Sequence, residues 1–117
     1  MWDIDVCEEL ESELESLSKE VIRKFFSYIN LLETEGPNLS RPYSDTLKGA
    51  KYTNLKELRF DADGGVWRFA YAFDPERKGI ILIGGDKSSV NQKKFYKKLI
   101  KQAEERYEKY LNVSEES

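Results

Sequence analysis

The sequence predicts an α+β domain, helices packed on a small and mainly antiparallel sheet, in the order β-α-α-β-β-β-α. Three observations carry this. The first third holds a long apolar stripe at helical spacing, the middle holds three strand-like segments joined by tight turns, and the last quarter is amphipathic at a helical period.

The chain has 117 residues, the size of one domain, expected to span 1–117. Apolar residues make up 39% and aromatics 13%, enough for a core and too many for a disordered chain. Trp2-Asp-Ile-Asp-Val6 alternates apolar and polar residues and predicts a short strand. Asp5 and Glu8 stand at capping-box spacing ahead of Leu10, Leu14 and Leu17, predicting a short acidic helix. Leu17, Val21, Ile22, Phe25, Phe26, Ile29 and Leu32 then recur at three- and four-residue steps as one helical stripe. Gly36-Pro37 ends that helix, because Gly accepts a left-handed terminal conformation and Pro cannot continue the ladder. Residues 36–54 carry turn formers without a period and read as a loop.

A three-stranded meander is expected over residues 55–87. Lys56, Leu58 and Phe60 alternate with Glu57 and Arg59. After the turn Asp61–Gly65, residues 66–73 put Trp67, Phe69, Tyr71 and Phe73 on one face and Arg68, Ala70 and Ala72 on the other. A second turn from Asp74 to Gly79 leads to the apolar run Ile80–Ile83, suited to a central strand. A helix follows over residues 90–111. Phe95, Tyr96, Leu99, Ile100, Ala103 and Tyr107 lie on one side, with Lys93, Lys94, Lys97, Lys98 and Lys101 nearly opposite.

A net charge of −3 conceals segregation. Residues 1–35 hold ten acids against three bases, whereas residues 36–102 hold fourteen Lys/Arg against seven acids. A basic middle between acidic ends can present one positive face to a polyanion, or form an ordinary solvated surface. The single Cys7 excludes an internal disulfide and suits a reducing compartment. With no apolar run long enough to span a membrane and no signal pattern, a soluble, cytoplasmic protein is expected. Gly84-Gly85 lacks the further glycine and Lys-Ser/Thr of a phosphate loop. Without histidine or a Cys cluster no zinc site is expected, the scattered acids do not form a calcium loop, and no cofactor is expected.

The run Gly36-Pro-Asn-Leu-Ser-Arg-Pro42, then Asp45–Gly49, Asn54–Arg59, Trp67-Arg68, Ala72–Pro75 and Gly84-Gly-Asp-Lys87, resembles the HigB-like, phage-related branch of the RelE/ParE toxin superfamily. The match covers about residues 36–110, and the helical first third agrees in order and length. The resemblance implies a RelE-like fold and a toxin of a type II toxin–antitoxin module. It implies a ribosome-dependent endoribonuclease acting on messenger RNA, neutralised by a cognate antitoxin that often carries a helix-turn-helix domain. The superfamily also holds gyrase inhibitors of the ParE kind, and a non-catalytic relative that only binds its antitoxin is a third alternative, so fold alone does not choose.

RNA cleavage needs a base for the 2′-hydroxyl, stabilisation of a phosphorane-like transition state and an acid for the leaving 5′-oxygen. HigB-like relatives often place a histidine near the end of the last strand. This chain departs from them with Asp86-Lys87 there, and resembles the RelE style in which lysines, arginines and a tyrosine share the work. If the Leu58/Phe60 and Phe69/Tyr71 faces meet the helices, Glu57, Arg59 and Arg68 share the opposite one. Arg59 and Arg68 are candidates for clamping phosphate, since guanidinium donors match its oxygens in a planar fork. Lys87 is a candidate for charge stabilisation or proton transfer, and Glu57 for the base. Tyr96 is a proton donor, a base-stacking group or a core residue. Lys48, Lys51, Lys56, Arg77, Lys93, Lys94 and Lys97 are candidates for tracking an RNA backbone.

Overall fold

A computed structural model describes the backbone of residues 1–116, with side chains through Val113. It confirms the α+β class. A five-stranded, mainly antiparallel open sheet runs in the order β1-β5-β4-β3-β2, formed by β1 (Ile4–Val6), β2 (Ser44–Thr46), β3 (Leu55–Ala62), β4 (Gly65–Phe73) and β5 (Gly79–Asp86). Helices α1 (Glu8–Leu14), α2 (Lys19–Glu35) and α3 (Gln92–Glu116) pack against it. Strands β2 to β5 pair antiparallel, and β1 joins the far edge parallel to β5, with Val6 opposite Ile81.

Both sheet faces are covered. On one face Leu58, Phe60, Phe69 and Tyr71 are buried toward α2, whose Phe25 ring centre lies 4.7 Å from that of Phe69. On the other, Leu55, Ala70 and Ala72 lie beneath α3, which contributes buried Leu99, Ala103 and Tyr107. The small alanines let the helix approach the strands closely. Val21, Phe25, Ile29 and Leu32 form the buried stripe of α2 as expected, but Phe26 falls on the outer side and is 49% exposed.

Four local expectations are corrected. Asp5 is not a helix cap. It lies within β1 opposite Ile80, Cys7 takes the N-cap position of α1, and no side chain caps it. The segment 36–54 is not all loop. Gly36, at φ 59, closes α2 and starts a 3-10 turn over Gly36–Asn38, and three residues further on form β2. A strand of three residues is too short to show a period, and β2 is fixed by tertiary contacts: Ser44 is fully buried with its hydroxyl 2.5 Å from that of Tyr71. Strand β5 runs past Ile83 through Gly84-Gly85-Asp86, where a Cβ on Gly84 would collide with the Phe69 ring. Finally, α3 begins two residues after Val90, where Asn91 Oδ1 accepts the Lys94 N–H, and continues beyond Leu111. No helix among the described residues is long and apolar enough to cross a membrane.

Candidate active site

Strand register does most of the positioning. Arg59 stands opposite Arg68 across β3 and β4, Arg68 opposite Gly85 across β4 and β5, and Glu57 opposite Ala70. Strand alternation puts Glu57, Arg59 and Arg68 on the α3 face. Lys87 follows directly on β5, held by its N–H bonded to the Val66 carbonyl at 2.8 Å. From the first turns of α3, Tyr96 reaches down and donates its hydroxyl to Glu57 Oε1 at 2.9 Å. Arg68 Nε lies 3.8 Å from that same oxygen, and its Nη1 donates to the Trp67 carbonyl at 2.9 Å. Lys87 Nζ lies 5.7 Å from the Tyr96 ring centre and 3.4 Å from Gln92 Oε1.

Glu57 and Arg68 are 4% and 6% exposed. Arg59 is more open, its Nη1 3.4 Å from Asp45 Oδ2, and the Arg41 guanidinium meets that carboxylate oxygen at 2.7 Å. A cavity of about 350 Å³ opens above the cluster, lined by Arg41, Asp45, Thr46, Leu47, Lys48, Glu57, Arg59, Lys87, Gln92 and Tyr96.

These surroundings perturb the titrating groups in opposite directions. Burial pushes the Glu57 carboxyl up, and the Tyr96 hydroxyl and the Arg68 charge only partly offset it. Burial also pulls the Lys87 ammonium down, helped by the positive charge of Arg68. Tyr96 is raised by burial and then by the Glu57 charge, so its hydroxyl keeps its proton and donates it. Asp45 is held low by the Arg41 guanidinium and the Thr46 N–H. A carboxyl raised and an ammonium lowered around one cavity can exchange protons nearer neutrality than either can in water.

The four residues expected to carry chemistry therefore come together: Glu57, Arg59, Arg68 and Lys87. Lys48 lines the same cavity, and Lys93, Lys94 and Lys97 are exposed along α3. Three expected RNA contacts lie apart from it. Lys51 is paired with Glu108 of α3, Lys56 donates from the α2 face to the Leu39 carbonyl at 3.0 Å, and Arg77 stacks 4.7 Å over Trp2 beside the β4–β5 turn. Arg41, Asp45 and Gln92 were not anticipated. Arg41 and Asp45 stand four residues apart with opposite charges, the one signal available, but a segment read as loop gave it no direction.

Among the described residues no three of His, Cys, Asp or Glu converge as a metal site. The chain matches the family described as "Phage derived protein Gp49-like (DUF891)" over residues 12–108. It belongs to that family. The Gp49-like chain is 40% identical over 96 residues to "Putative toxin HigB3" of Mycobacterium tuberculosis (strain ATCC 25618 / H37Rv), covering 82% of each chain. It is 36% identical over 117 residues to "Putative toxin HigB2" of the same organism, a match that takes in 99% of this chain and 57% of that protein. The chain thus spans little more than half the length of that second relative. The resemblance to the HigB-like branch is borne out by these matches. No solved structure matches the chain.

Proposed function

We propose that this Gp49-like chain is the toxin of a toxin–antitoxin module and cleaves messenger RNA on the ribosome without a metal ion. One observation carries the proposal: a buried carboxylate, Glu57, accepts the Tyr96 hydroxyl on an oxygen 3.8 Å from Arg68 Nε, and lines one cavity with Arg59 and Lys87. The cavity, about 350 Å³, falls in the ~300–1,000 Å³ range of small-molecule clefts. The HigB names of the relatives support the toxin assignment.

In this mechanism Glu57 takes the proton of a ribose 2′-hydroxyl. The resulting oxygen attacks the adjacent phosphorus, the bond from phosphorus to the 5′-oxygen breaks, and Lys87 gives that oxygen a proton. The products are a 2′,3′-cyclic phosphate and a 5′-hydroxyl. Arg59 faces the developing charge on the non-bridging oxygens, where fixed donors in a water-poor site are most effective. Arg68 and Tyr96 act through Glu57: they hold its carboxylate in place and counter the rise that burial causes. The exposed lysines of α3 offer the sequence-independent attraction that a phosphate backbone requires. The ribosome supplies the positioned transcript, and a cognate antitoxin, with a helix-turn-helix domain, restrains the toxin in the cytoplasm.

Expression without a partner, followed by mapping of transcript ends, tests this directly. Growth arrest with ribosome-dependent cuts bearing cyclic phosphate ends is expected. Arrest with intact transcripts and accumulated gyrase-cleaved DNA would instead identify a ParE-like poison.

A further inference from the structure

Strand β5 has an unfinished edge. Strand β1 covers only Gly79–Ile81, and the chain then turns away into α1 after Cys7 donates to the Ile81 carbonyl at 3.0 Å. Leu82 is closed off as well, its carbonyl accepting from Arg106 at 2.9 Å and from the Cys7 thiol at 3.2 Å. Beyond Leu82 no strand lies on that side among the described residues. The Lys87 N–H bonds to Val66 on the β4 side, so antiparallel alternation turns the N–H and C=O of Gly84 and Asp86 outward to the open edge. No backbone bond outside the sheet ladder reaches Gly84 among the described residues.

That edge is the wall of a groove of about 540 Å³ between β5 and the N-terminal half of α3. Its floor is apolar, formed by Ile83, Phe95 and Leu99, and Val90 stands 53% exposed at its mouth. A Cβ on Gly85 would come within 2.9 Å of the Phe95 ring, so the bare backbone here keeps the groove narrow and the strand edge approachable. The rim is positive: Lys94 and Lys98 are exposed and line the groove, while the Asp86 carboxylate is turned back to accept the N–H groups of Val66 and Ser88.

We propose that this groove receives an extended acidic segment of a partner protein, which adds to β5 as a further strand. Main-chain bonds to Gly84 and Asp86 would supply affinity and register. Apolar side chains on one face of the segment would meet Phe95, Leu99 and Val90, and carboxylates flanking them would meet Lys94 and Lys98. The open edge spans four residues, about 13 Å at ~3.3 Å per residue, so the segment needs only four to six residues, by about that spacing. An open edge left otherwise unprotected is also a site for unwanted association, which gives a partner strand a second role. The strand edge and the apolar floor take no part in the proposed cleavage chemistry, whereas Lys94 and Lys98 also belong to the α3 lysines proposed to attract RNA, and the oligouridine probe separates the two uses.

The test uses the full chain, labelled with ¹⁵N, and three short probes. They are a peptide alternating valine with glutamate, the same alternation with lysine, and an oligouridine. The acidic peptide should shift the amides of residues 83–86 and Val90 and slow hydrogen exchange at Gly84 at least tenfold. Lys94→Glu with Lys98→Glu, both on exposed positions, should weaken that binding at least tenfold and transfer the preference to the lysine peptide. Three results would overturn the proposal. One is shifts on this edge from the oligouridine but not the peptide. Another is concentration-dependent self-association through the edge, which would make a second copy the occupant. The third is acidic-peptide binding that leaves the exchange of Gly84 unchanged.

Discussion

Arg68 Nε lies 3.8 Å from Glu57 Oε1, within reach of its charge but beyond a hydrogen bond, and no other buried side-chain nitrogen or oxygen among the described residues lacks a hydrogen-bond partner. Both groups are almost fully buried, and the Arg68 charge adds to the Tyr96 hydroxyl bond in compensating Glu57 for its lost hydration. Removing one alone leaves a buried charge. Arg68→Met should destabilise the fold by about 3 kcal/mol at pH 7.5, in the range for broken buried pairs. Losing the Arg68 charge raises the Glu57 pKa further above its unfolded value. The charge-dependent part of the penalty is therefore full above that raised pKa and fades as pH falls through the wild-type Glu57 pKa, which burial already holds above its unfolded value. Urea unfolding of both proteins at pH 7.5 and 4 measures this; a deficit that does not shrink in acid contradicts it. The double change Glu57→Gln with Arg68→Met should recover part of the loss.

Tyr96 is assigned a positioning role, which a pH profile separates from simple packing. Its hydroxyl bond lowers the Glu57 pKa against the upward push of burial. A base must be ionised, so activity falls as pH drops through that pKa. Tyr96→Phe removes the donor, raises Glu57 further and should move the acid limb of the cleavage profile toward neutrality, with the plateau rate reduced less than tenfold. An unmoved acid limb with a lower plateau would assign Tyr96 to packing alone.

How much of this was legible in the sequence follows from the length and environment of each element. The α2 stripe and the β3–β4 alternation declare themselves because periodicity accumulates over eight or more residues, and the face holding Glu57, Arg59 and Arg68 follows from it. Strand β2 did not, being three residues fixed by the edge of β3 and by the buried Ser44 hydroxyl. With β2 went Asp45 and Arg41, whose place beside Arg59 depends on that pairing. Tyr96 was ambiguous for a different reason: a helical wheel gives its side but not the depth at which its hydroxyl meets a carboxylate. Lys56 and Lys51 show the converse error, since charge counting cannot distinguish an ammonium spent on a backbone carbonyl or a neighbouring glutamate from one free for phosphate.

The Ser44–Tyr71 contact fastens β2, and through it Asp45, to the centre of the sheet. Burial raises the Tyr71 phenol to about 12, so it stays protonated and neutral across the working range. Ser44→Ala should cost about 1–3 kcal/mol by leaving that hydroxyl without a partner. In a Tyr71→Phe background the same change should cost under about 1 kcal/mol, because both polar groups are then gone. Equal costs in the two backgrounds, measured by chemical denaturation, would deny the coupling.

Gly84 is required by packing from the α2 face of the sheet, where the Phe69 ring occupies the space a Cβ would need. Gly84→Ala should destabilise by about 1–3 kcal/mol, as overpacking does in a filled core. Joining it to Phe69→Leu should give less loss than the sum of the single changes. Thermal unfolding of the four proteins decides whether the relationship is steric.

The central claim is that Glu57 and Arg59 perform RNA chemistry on the ribosome. The most direct measurement is single-turnover cleavage of a defined messenger RNA in programmed ribosomes. Wild type should yield 2′,3′-cyclic phosphate ends, with Glu57→Gln slower by roughly 10²–10⁴-fold and Arg59→Ala by about 10²-fold or more, while both variants stay folded. Undiminished cleavage by Glu57→Gln, or no cleavage by a folded and growth-arresting wild type, would contradict it.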